Sequence, residues 1–261
     1  MGDTDGALIT GAARRIGRCL AETVAAAGWH AVVHYNRSAR DAEETVAAIE
    51  AAGGRATALA ADLSDPVACD RLIDDAAERT GGLGCLVNNA SLFVEDDARD
   101  IGAETFDPIM AVNLRAPAIL SRAFAAQVPV DGRGVIVNIL DQKLANPNPD
   151  FLSYTLSKQG LAALTELTAM SYGPAVRVCA VAPGLTLPSG AQSRAQFEAV
   201  HGRTLLARGS RPEDVAGAVM YLLEARAVTG ETILVDGGQH LVPSARDVMF
   251  LDPAATKEPE E

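Results

Sequence analysis

Short β-branched or apolar runs alternate with helix-like segments along most of this 261-residue chain. The apolar runs predict seven strands, near Ala7–Thr10, Ala31–Tyr35, Ala56–Ala60, Cys85–Val87, Gly134–Leu140, Val176–Val181 and Thr232–Val235. Helical periodicity predicts six helices, near Arg15–Ala27, Ala39–Ala52, Pro66–Arg79, Ala103–Gln127, Leu152–Tyr172 and Pro212–Leu223. This alternation is typical of the α/β class. It predicts a doubly wound parallel sheet of about seven strands with helices on both faces.

No feature of the sequence divides the chain into separate units. Ser64-Asp65-Pro66 and Ser210-Arg211-Pro212 each place a capping residue shortly before a first-turn proline, as expected where helices begin. Since no Pro/Ser-rich linker or block of charge interrupts the pattern, we predict one domain over residues 1–250. Residues 251–261 are predicted to be a disordered acidic tail. Residues 188–208 depart from the alternation after the sixth strand and are a candidate substrate lid.

Charge and cysteine content exclude several classes of protein. The 34 Asp and Glu residues outnumber the 22 Lys and Arg residues, and the net charge of −12 argues against nucleic acid or an anionic membrane as the main partner. The four cysteines include no CxxC pair, so we predict neither a metal site nor a disulfide framework. With no leader-like start and no apolar run near the roughly 18 residues that span a bilayer, the expected compartment is the cytoplasm.

The first predicted strand runs into a turn, Thr10-Gly11-Ala12-Ala13-Arg14-Arg15-Ile16-Gly17, that opens a helix. Such a turn aims backbone N–H groups and the positive end of the helix dipole at an anion, and its small residues let a pyrophosphate approach. Two adjacent arginines favour phosphate further. The alternative is a strand-to-helix turn with no ligand.

The second predicted strand ends in His34-Tyr35-Asn36-Arg37-Ser38. An enzyme that selects NAD usually places an acidic residue here to hold the ribose hydroxyls. Arg37 and Ser38, together with Arg14, could instead hold a 2′-phosphate through charge-assisted hydrogen bonds. The pattern therefore favours NADPH, and solvated loop residues are the alternative.

A polar and aromatic segment, Asn88-Asn89-Ala90-Ser91-Leu92-Phe93, follows the fourth predicted strand. Asn89 can tie the strand end to its neighbours. Ser91 and Phe93 are predicted to face a nicotinamide pocket, where an aromatic ring could stack on a flat heterocycle. A place in the core is the alternative for Phe93.

Tyr154 and Lys158 stand four residues apart in a predicted helix, which places both side chains on one face. There the ammonium group is expected to stabilise a phenolate and lower the tyrosine pKa, so that Tyr154 can donate a proton. Asp141 precedes the pair, just after the fifth predicted strand. The alternatives are a solvated helix face for Tyr154 and Lys158, and a structural role for Asp141 in capping the 142–150 loop.

Three further motifs occur along the chain, namely Asn113, Pro183-Gly184 and Asp236-Gly237-Gly238. Combined with the turn after the first strand, the Asn88–Ser91 segment and the tyrosine–lysine pair, they make roughly residues 6–242 resemble the short-chain dehydrogenase/reductase family. The resemblance implies a single-domain Rossmann-type oxidoreductase, often tetrameric. It implies that Tyr154 acts as the acid, that Lys158 lowers its pKa and holds the nicotinamide ribose, and that Asn113 supports a proton relay.

Departures from the family pattern narrow the resemblance. Arg15 stands where the family usually has the middle glycine of its turn, and Asp141 stands where it usually has a catalytic serine. The sequence resembles pteridine reductases, and their bacterial relatives that reduce dihydromonapterin or dihydrofolate, at these two residues, at the His34–Ser38 run and at Phe93. That branch implies Arg15 between pyrophosphate and pterin, Phe93 stacked on the pterin, and Asp141 orienting Tyr154 or relaying protons.

The sequence therefore predicts an NADPH-dependent reductase of a dihydropterin, acting as a homotetramer on a small molecule. A carbonyl or 3-oxoacyl reductase and a non-catalytic NADP(H)-binding regulator are the alternatives. The predicted catalytic residues are Asp141, Tyr154, Lys158, Arg15 and Asn113, and the predicted substrate contacts are Arg15, Ser91, Phe93, Asp141 and Tyr154. The predicted cofactor contacts are Thr10, Gly11, Arg14, Arg15, Ile16, Gly17, Tyr35, Asn36, Arg37, Ser38, Asp62, Leu63, Asn89, Ala90, Ser91, Tyr154, Lys158, Pro183, Gly184 and Thr186.

Overall fold

A computed structural model describes residues 5–188, 194–202 and 204–250. Seven strands form one parallel sheet in the order β3-β2-β1-β4-β5-β6-β7. The strands are β1 (Gly6–Ile9), β2 (His30–Tyr35), β3 (Arg55–Ala60), β4 (Leu83–Asn88), β5 (Gly134–Ile139), β6 (Val176–Pro183) and β7 (Thr232–Val235). The predicted α/β fold with a doubly wound parallel sheet is confirmed.

Helices cover both faces of this sheet. They are α1 (Arg15–Ala26), α2 (Ala39–Ala51), α3 (Pro66–Thr80), α4 (Ala103–Met110), α5 (Ala116–Gln127), α6 (Leu152–Tyr172), α7 (Arg194–His201) and α8 (Pro212–Glu224). Among the described residues, no helix is both long enough and apolar enough to cross a membrane.

The core consists of two layers, one on each face of the sheet, because side chains alternate along every strand. On β1, Ile9 packs with α1 and α8 on one face, while Leu8 packs with α3 and α5 on the other. Strands buried on both faces explain why the sequence shows continuous apolar runs rather than strict alternation.

Two expectations about the elements need correction. The helix predicted over Ala103–Gln127 is interrupted by a π-helical turn at Ala111–Arg115, which separates α4 from α5. A proline lies inside α4 at Pro108 and another near the start of α5 at Pro117, and each lacks a backbone N–H donor. The structure also places a helix, α7, within the candidate lid.

Other expectations are not tested by the described residues. The predicted tail over 251–261 lies outside them, as do residues 189–193 and 203 of the candidate lid. Whether residues 188–208 close over a ligand, and whether residues 1–250 form one independent domain, stay predictions.

Candidate active site

A cleft of about 800 Å³ opens at the carboxyl ends of β1, β2, β4, β5 and β6. Its centre lies beside β1 and β4, where the strand order reverses and the crossover helices leave to opposite faces of the sheet. In doubly wound folds this topological switch point is where ligands bind.

Close packing shapes the turn between β1 and α1. Gly11 has φ +63°, and a Cβ atom added to Gly17 would lie 2.2 Å from the Gly11 carbonyl oxygen. Side chains are therefore excluded at both positions, which leaves the backbone of the turn open to the cleft. The residues that line this part of the cleft include Gly11, Arg14, Arg15, Ile16 and Gly17. All were predicted cofactor contacts, and the cradle fits a pyrophosphate.

Arg15 has φ +56°, in the left-handed region that favours glycine. Its guanidinium Nη2 donates to the carbonyl oxygen of Pro188 at 2.9 Å, across the cleft from its own turn. An arginine therefore occupies a backbone conformation that favours glycine, and it adds a cation to the cleft.

The far end of the cleft contains Arg37 and Ser38, two of the three side chains predicted to bind a 2′-phosphate. The third, Arg14, also lines the cleft, and its Nε lies 3.6 Å from Asp41 Oδ2. Tyr35, Asn36, Arg37, Ser38 and Asp62 all line the cleft, and the first four follow directly from the end of β2. Asp62 is occupied locally, since its Oδ1 accepts from the backbone N–H and the hydroxyl of Ser64 at 2.9 and 2.8 Å. Within residues 5–188, 194–202 and 204–250, the side chains of Arg37 and Ser38 make no hydrogen bond, which leaves a guanidinium and a hydroxyl group able to bind an anion here.

His34 is a site residue whose role the sequence analysis missed. It is 1% exposed, its Nδ1 accepts from the Gly11 N–H at 3.0 Å, and its Nε2 donates to the Ala61 carbonyl oxygen at 3.1 Å. Burial lowers the pKa of His34 to about 4, so the ring is neutral at physiological pH. It holds the phosphate turn against the ends of β2 and β3. The sequence signal that could have indicated this role is a histidine within the otherwise apolar end of β2.

Thr10 and Asn89 form the framework behind the cleft. The Thr10 hydroxyl accepts from the backbone N–H groups of Asn89 and Ala90, both at 2.9 Å, and Asn89 Nδ2 donates to the Thr10 carbonyl oxygen at 2.8 Å. Thr10 is 1% exposed and lies behind the lining of the cleft. It was predicted to contact the cofactor, and the structure instead gives it the task of joining β1 to the loop after β4.

The central feature of the cleft is a hydrogen bond between Tyr154 and Asp141. The Tyr154 hydroxyl donates to Asp141 Oδ2 at 2.7 Å. Asp141 lies at the end of β5, and its Oδ1 accepts from the Lys143 N–H at 2.8 Å, so the carboxylate also caps the short turn that follows. Asp141 therefore lies beside the phenol, as predicted, and at the same time caps the loop that follows it, which was the alternative role.

Lys158 lies on the same face of α6 as Tyr154, but its ammonium group donates to the Ile139 carbonyl oxygen at 2.7 Å. Its Nζ is 5.6 Å from the centroid of the Tyr154 ring. Both side chains are buried and both line the cleft, so the alternative of a solvated helix face is wrong.

Burial shifts the pKa of all three groups. It raises the pKa of Tyr154 well above 10.0, an effect that the negative charge of Asp141 reinforces, and it lowers the pKa of Lys158 to about 8. Burial also raises the pKa of Asp141. The expectation that Lys158 lowers the tyrosine pKa is wrong for this arrangement, because the adjacent carboxylate and the loss of water outweigh a more distant ammonium.

Asn113 supports the loop after β4 rather than lining the cleft. Its Oδ1 accepts from the Leu92 N–H at 2.7 Å, and its Nδ2 donates to the Leu92 carbonyl oxygen at 2.9 Å and to Ser157 Oγ at 3.1 Å. The side chain is fully buried in the π-helical turn. In the described structure the Asn113 side chain makes no hydrogen bond to the side chains of Tyr154 or Lys158, and its hydrogen bonds instead position the loop after β4 against α6.

Phe93 lines the cleft and stacks on Phe151, with ring centroids 4.1 Å apart. It also meets the Tyr154 ring edge to face at 4.7 Å. The ring is 38% exposed, so the alternative of a core position is wrong. Ser91 lines the cleft beside it.

Residues near the described C-terminal end also line the cleft, and the sequence analysis did not include them. They are Ser244, Arg246, Asp247, Val248 and Met249. Lys143 and Asn148 lie opposite, in the loop after β5. The apolar run Val248-Met249-Phe250 just before the acidic tail was the signal that could have indicated a packed segment.

The sequence is similar to a reductase family model and to reductases of known type. Residues 11–240 match the family model described as enoyl-(acyl carrier protein) reductase. A putative ketoacyl reductase of granaticin polyketide synthase from Streptomyces violaceoruber is 37% identical, over 90% of this chain and 96% of the relative. A 3-oxoacyl-[acyl-carrier-protein] reductase from Synechocystis sp. is 31% identical, over 89% of this chain and 95% of the relative.

A solved structure from Brucella canis is similar in both sequence and fold. It is FolM alternative dihydrofolate reductase 1 complexed with NADP, and it is 39% identical, with a TM-score of 0.87 over 92% of this chain and 96% of that one. Both reductases of ketoacyl groups and a reductase of dihydrofolate are thus similar to this chain.

Proposed function

We propose that this chain, which belongs to the short-chain dehydrogenase/reductase family, is an NADPH-dependent reductase that converts a dihydropterin to its tetrahydro form. The observation that carries the proposal is the hydrogen bond from Tyr154 to Asp141 at 2.7 Å. A carboxylate accepts hydrogen bonds from the amine and amide edge of a pterin, whereas the serine usual at this position suits a ketone oxygen.

The cleft fits NADPH. The glycine turn would hold the pyrophosphate, Arg14, Arg37 and Ser38 the 2′-phosphate, and Lys158 the nicotinamide ribose. When bound, the cofactor supplies the hydride. NADP in the Brucella canis relative supports this assignment.

The proton that balances hydride addition to a C=N bond comes from the Asp141–Tyr154 pair. The raised pKa of Asp141 lets its carboxyl group take up a proton closer to neutral pH, and the raised pKa of Tyr154 keeps the phenol protonated. The two groups therefore hold a proton beside the substrate nitrogen. Lys158 and Lys143 supply positive charge near Asp141, and Arg15 adds a further cation to the same cleft, which offsets the charge of phosphate.

Reduction of a carbonyl compound or a 3-oxoacyl thioester is the second candidate. The ketoacyl reductases among the relatives favour it. Tyr154 and Lys158 are compatible with either reaction, so Asp141 is the residue at which the two candidates separate. A non-catalytic NADP(H)-binding regulator is the third, and it leaves the buried Tyr154–Asp141 pair without a task.

The test is a screen of NADPH consumption with dihydrobiopterin, dihydromonapterin, dihydrofolate and an acetoacetyl thioester. We expect kcat/KM for one of the dihydropterins to exceed that for the ketone by at least about 100-fold, or roughly 2.7 kcal/mol of transition-state stabilisation. Asp141→Ser is expected to lower dihydropterin turnover by about 100-fold while leaving or raising ketone turnover.

Asp141→Asn is the matched control, because it keeps the shape and one acceptor oxygen but removes the charge. It should lose dihydropterin turnover as Asp141→Ser does, without gaining on ketones. Turnover of ketones together with none of the three dihydropterins would overturn the proposal. Absence of all turnover, with NADPH bound equally by the parent protein and by Tyr154→Phe, would favour the regulator.

A further inference from the structure

The segment from Ser244 to Phe250, which we call the C-terminal strap, forms the wall of the cleft beyond Tyr154 and Asp141. Five of its seven residues line the cleft. The strap lies at the end remote from Arg37 and Ser38, and thus away from the groups assigned to the cofactor phosphate. The proposed function gives it no role.

A buried ion pair fixes the strap. Lys143 Nζ lies 2.9 Å from Asp247 Oδ2, and the two side chains are 3% and 11% exposed. No other ion pair among the described residues buries both partners to this degree. Lys143 also donates to Asn148 Oδ1 at 2.7 Å, which completes its polar contacts.

A second pair supports the first. Arg246 Nε donates to both carboxylate oxygens of Asp150, at 2.9 and 2.8 Å, and the Asp247 N–H donates to Asp150 Oδ2 at 2.6 Å. Asp150 and Lys143 both belong to the loop that begins at Asp141. The strap is therefore joined to the loop that carries the proposed catalytic carboxylate.

Aromatic rings connect the strap with the catalytic tyrosine. Phe250 stacks on Phe151 with centroids 5.8 Å apart, Phe151 stacks on Phe93, and Phe93 meets Tyr154. The ammonium group of Lys143 lies 5.4 Å from the Phe151 centroid. A displacement of the strap would thus disturb the rings that border the substrate end of the cleft.

We propose that Lys143 and Asp247 are positioning residues that hold the strap as the wall against the side chain of the substrate, so that this pair sets specificity for that side chain. A buried ion pair is weak support for stability, since its desolvation costs about as much as its attraction returns, but it fixes geometry. Val248 and Met249 then present an apolar surface to groups attached to the reduced ring. The inference rests on the proposed function for the identity of that ring.

The test compares two substrates that share the ring and differ in the side chain, dihydrobiopterin and 6-methyldihydropterin. Asp247→Asn keeps the shape of the side chain and removes its charge. We expect it to raise KM for dihydrobiopterin by about tenfold or more, KM for 6-methyldihydropterin by less than about threefold, and KM for NADPH by less than about twofold. Hydrogen exchange should become faster in residues 244–250 and stay unchanged in α6.

Two controls keep the result interpretable. The double variant Lys143→Met/Asp247→Leu leaves no unpaired buried charge, so it tests the same loss of the pair if Asp247→Asn does not fold. Arg122→Gln breaks an exposed ion pair with Asp70, neither residue of which lines the cleft, and it should change none of the KM values.

The proposal is overturned if both substrates and NADPH lose affinity together as the melting temperature falls, because the pair is then structural only. It is also overturned if neither the KM values nor hydrogen exchange of the strap change. Should the parent protein reduce ketones and no dihydropterin, the proposed function fails by itself. The same variants are then compared on a long-chain and a short-chain ketone.

Discussion

At the scale of single residues, the cleft holds side chains in states that cost free energy when considered alone. Arg15 has a φ of +56°, Tyr154 and Lys158 are buried, and the half-buried Asp141 accepts a hydrogen bond from the phenol. A side chain in the left-handed region costs roughly 1–2 kcal/mol. Such costs concentrate at functional sites, where the surrounding structure enforces them. For Arg15, substitution can separate the effect on the ligand from the effect on the stability of the fold.

Arg15→Gly tests whether the arginine serves the ligand or the turn. Glycine relieves the left-handed strain but leaves the unfolded chain more freedom, so we expect the free energy of unfolding to stay within about 1 kcal/mol of the parent value. Loss of the guanidinium should raise KM for the dihydropterin by about tenfold or more, which corresponds to one charge-assisted hydrogen bond. Urea unfolding and steady-state kinetics measure the two effects. A large loss of stability with KM unchanged would assign Arg15 to the fold.

Arg15→Ala is the matched control for that substitution. It removes the same guanidinium yet keeps a Cβ atom in the left-handed conformation. Its KM should therefore match that of Arg15→Gly. The left-handed strain of its folded state costs roughly 1 kcal/mol more than in Arg15→Gly, and the smaller conformational entropy of its unfolded chain offsets part of that difference.

His34 is expected to make stability depend on pH. Its pKa is lowered from 6.5 to about 4 in the folded chain, so on acidification the unfolded chain takes up the proton first. The contribution is fully present above about pH 6.5 and is lost as the pH falls toward about 4, by an amount on the order of 3 kcal/mol. His34→Gln should lack this part of the slope when urea unfolding is measured across that range. Parallel curves for the two proteins would contradict the prediction.

At the scale of elements, the start of α6 sets the position of Tyr154, the proposed proton donor. Asp96, from the loop after β4, is 4% exposed, and its Oδ1 accepts from the Ser153 N–H at 3.0 Å. Its backbone carbonyl oxygen accepts from the Leu152 N–H at 3.2 Å. Tyr154 belongs to this first turn. An acceptor from another part of the chain therefore caps the helix and fixes the height of the phenol above the cleft.

Asp96→Ala should lower both stability and turnover. Removing the acceptor leaves the buried N–H and hydroxyl of Ser153 unpaired, at a cost of about 1–3 kcal/mol, and the loosened first turn should reduce kcat. Asp96→Asn retains an acceptor oxygen and should lose about 1 kcal/mol or less. Thermal unfolding and kcat are the measurements.

Asp65→Ala supplies a control for a cap remote from the catalytic residues. Asp65 Oδ1 accepts from the Val67 N–H at 2.9 Å at the start of α3. Its loss should lower stability by about 1 kcal/mol and leave kcat unchanged. Equal effects of Asp65→Ala and Asp96→Ala on kcat would show that the Asp96 cap acts through stability alone.

At the scale of the whole molecule, one edge of a seven-stranded sheet brings distant parts of the chain together. The turn after β1, the loop after β4, the end of β5 and the C-terminal strap meet there, and Lys143 and Asp247 are separated by 104 positions. The chain is strongly acidic, yet Arg14, Arg15, Arg37 and Lys158 all line this one cleft. The arrangement concentrates positive charge where the proposed cofactor carries phosphate.

The sequence by itself determined the α/β fold, most element boundaries and the glycine-containing turn after the first strand, and the family resemblance it carries implied the pairing of Asp141 with Tyr154. These depend on local periodicity, on glycines that only one turn geometry explains, and on the rule that parallel strands end at one edge. It could not give the direction of the Tyr154 pKa, because that depends on how far burial and a neighbouring carboxylate outweigh an ammonium. The supporting roles of Thr10, Asn113 and His34, and the strap held by Lys143, were decided by tertiary structure alone, since each depends on contacts between residues far apart in the chain.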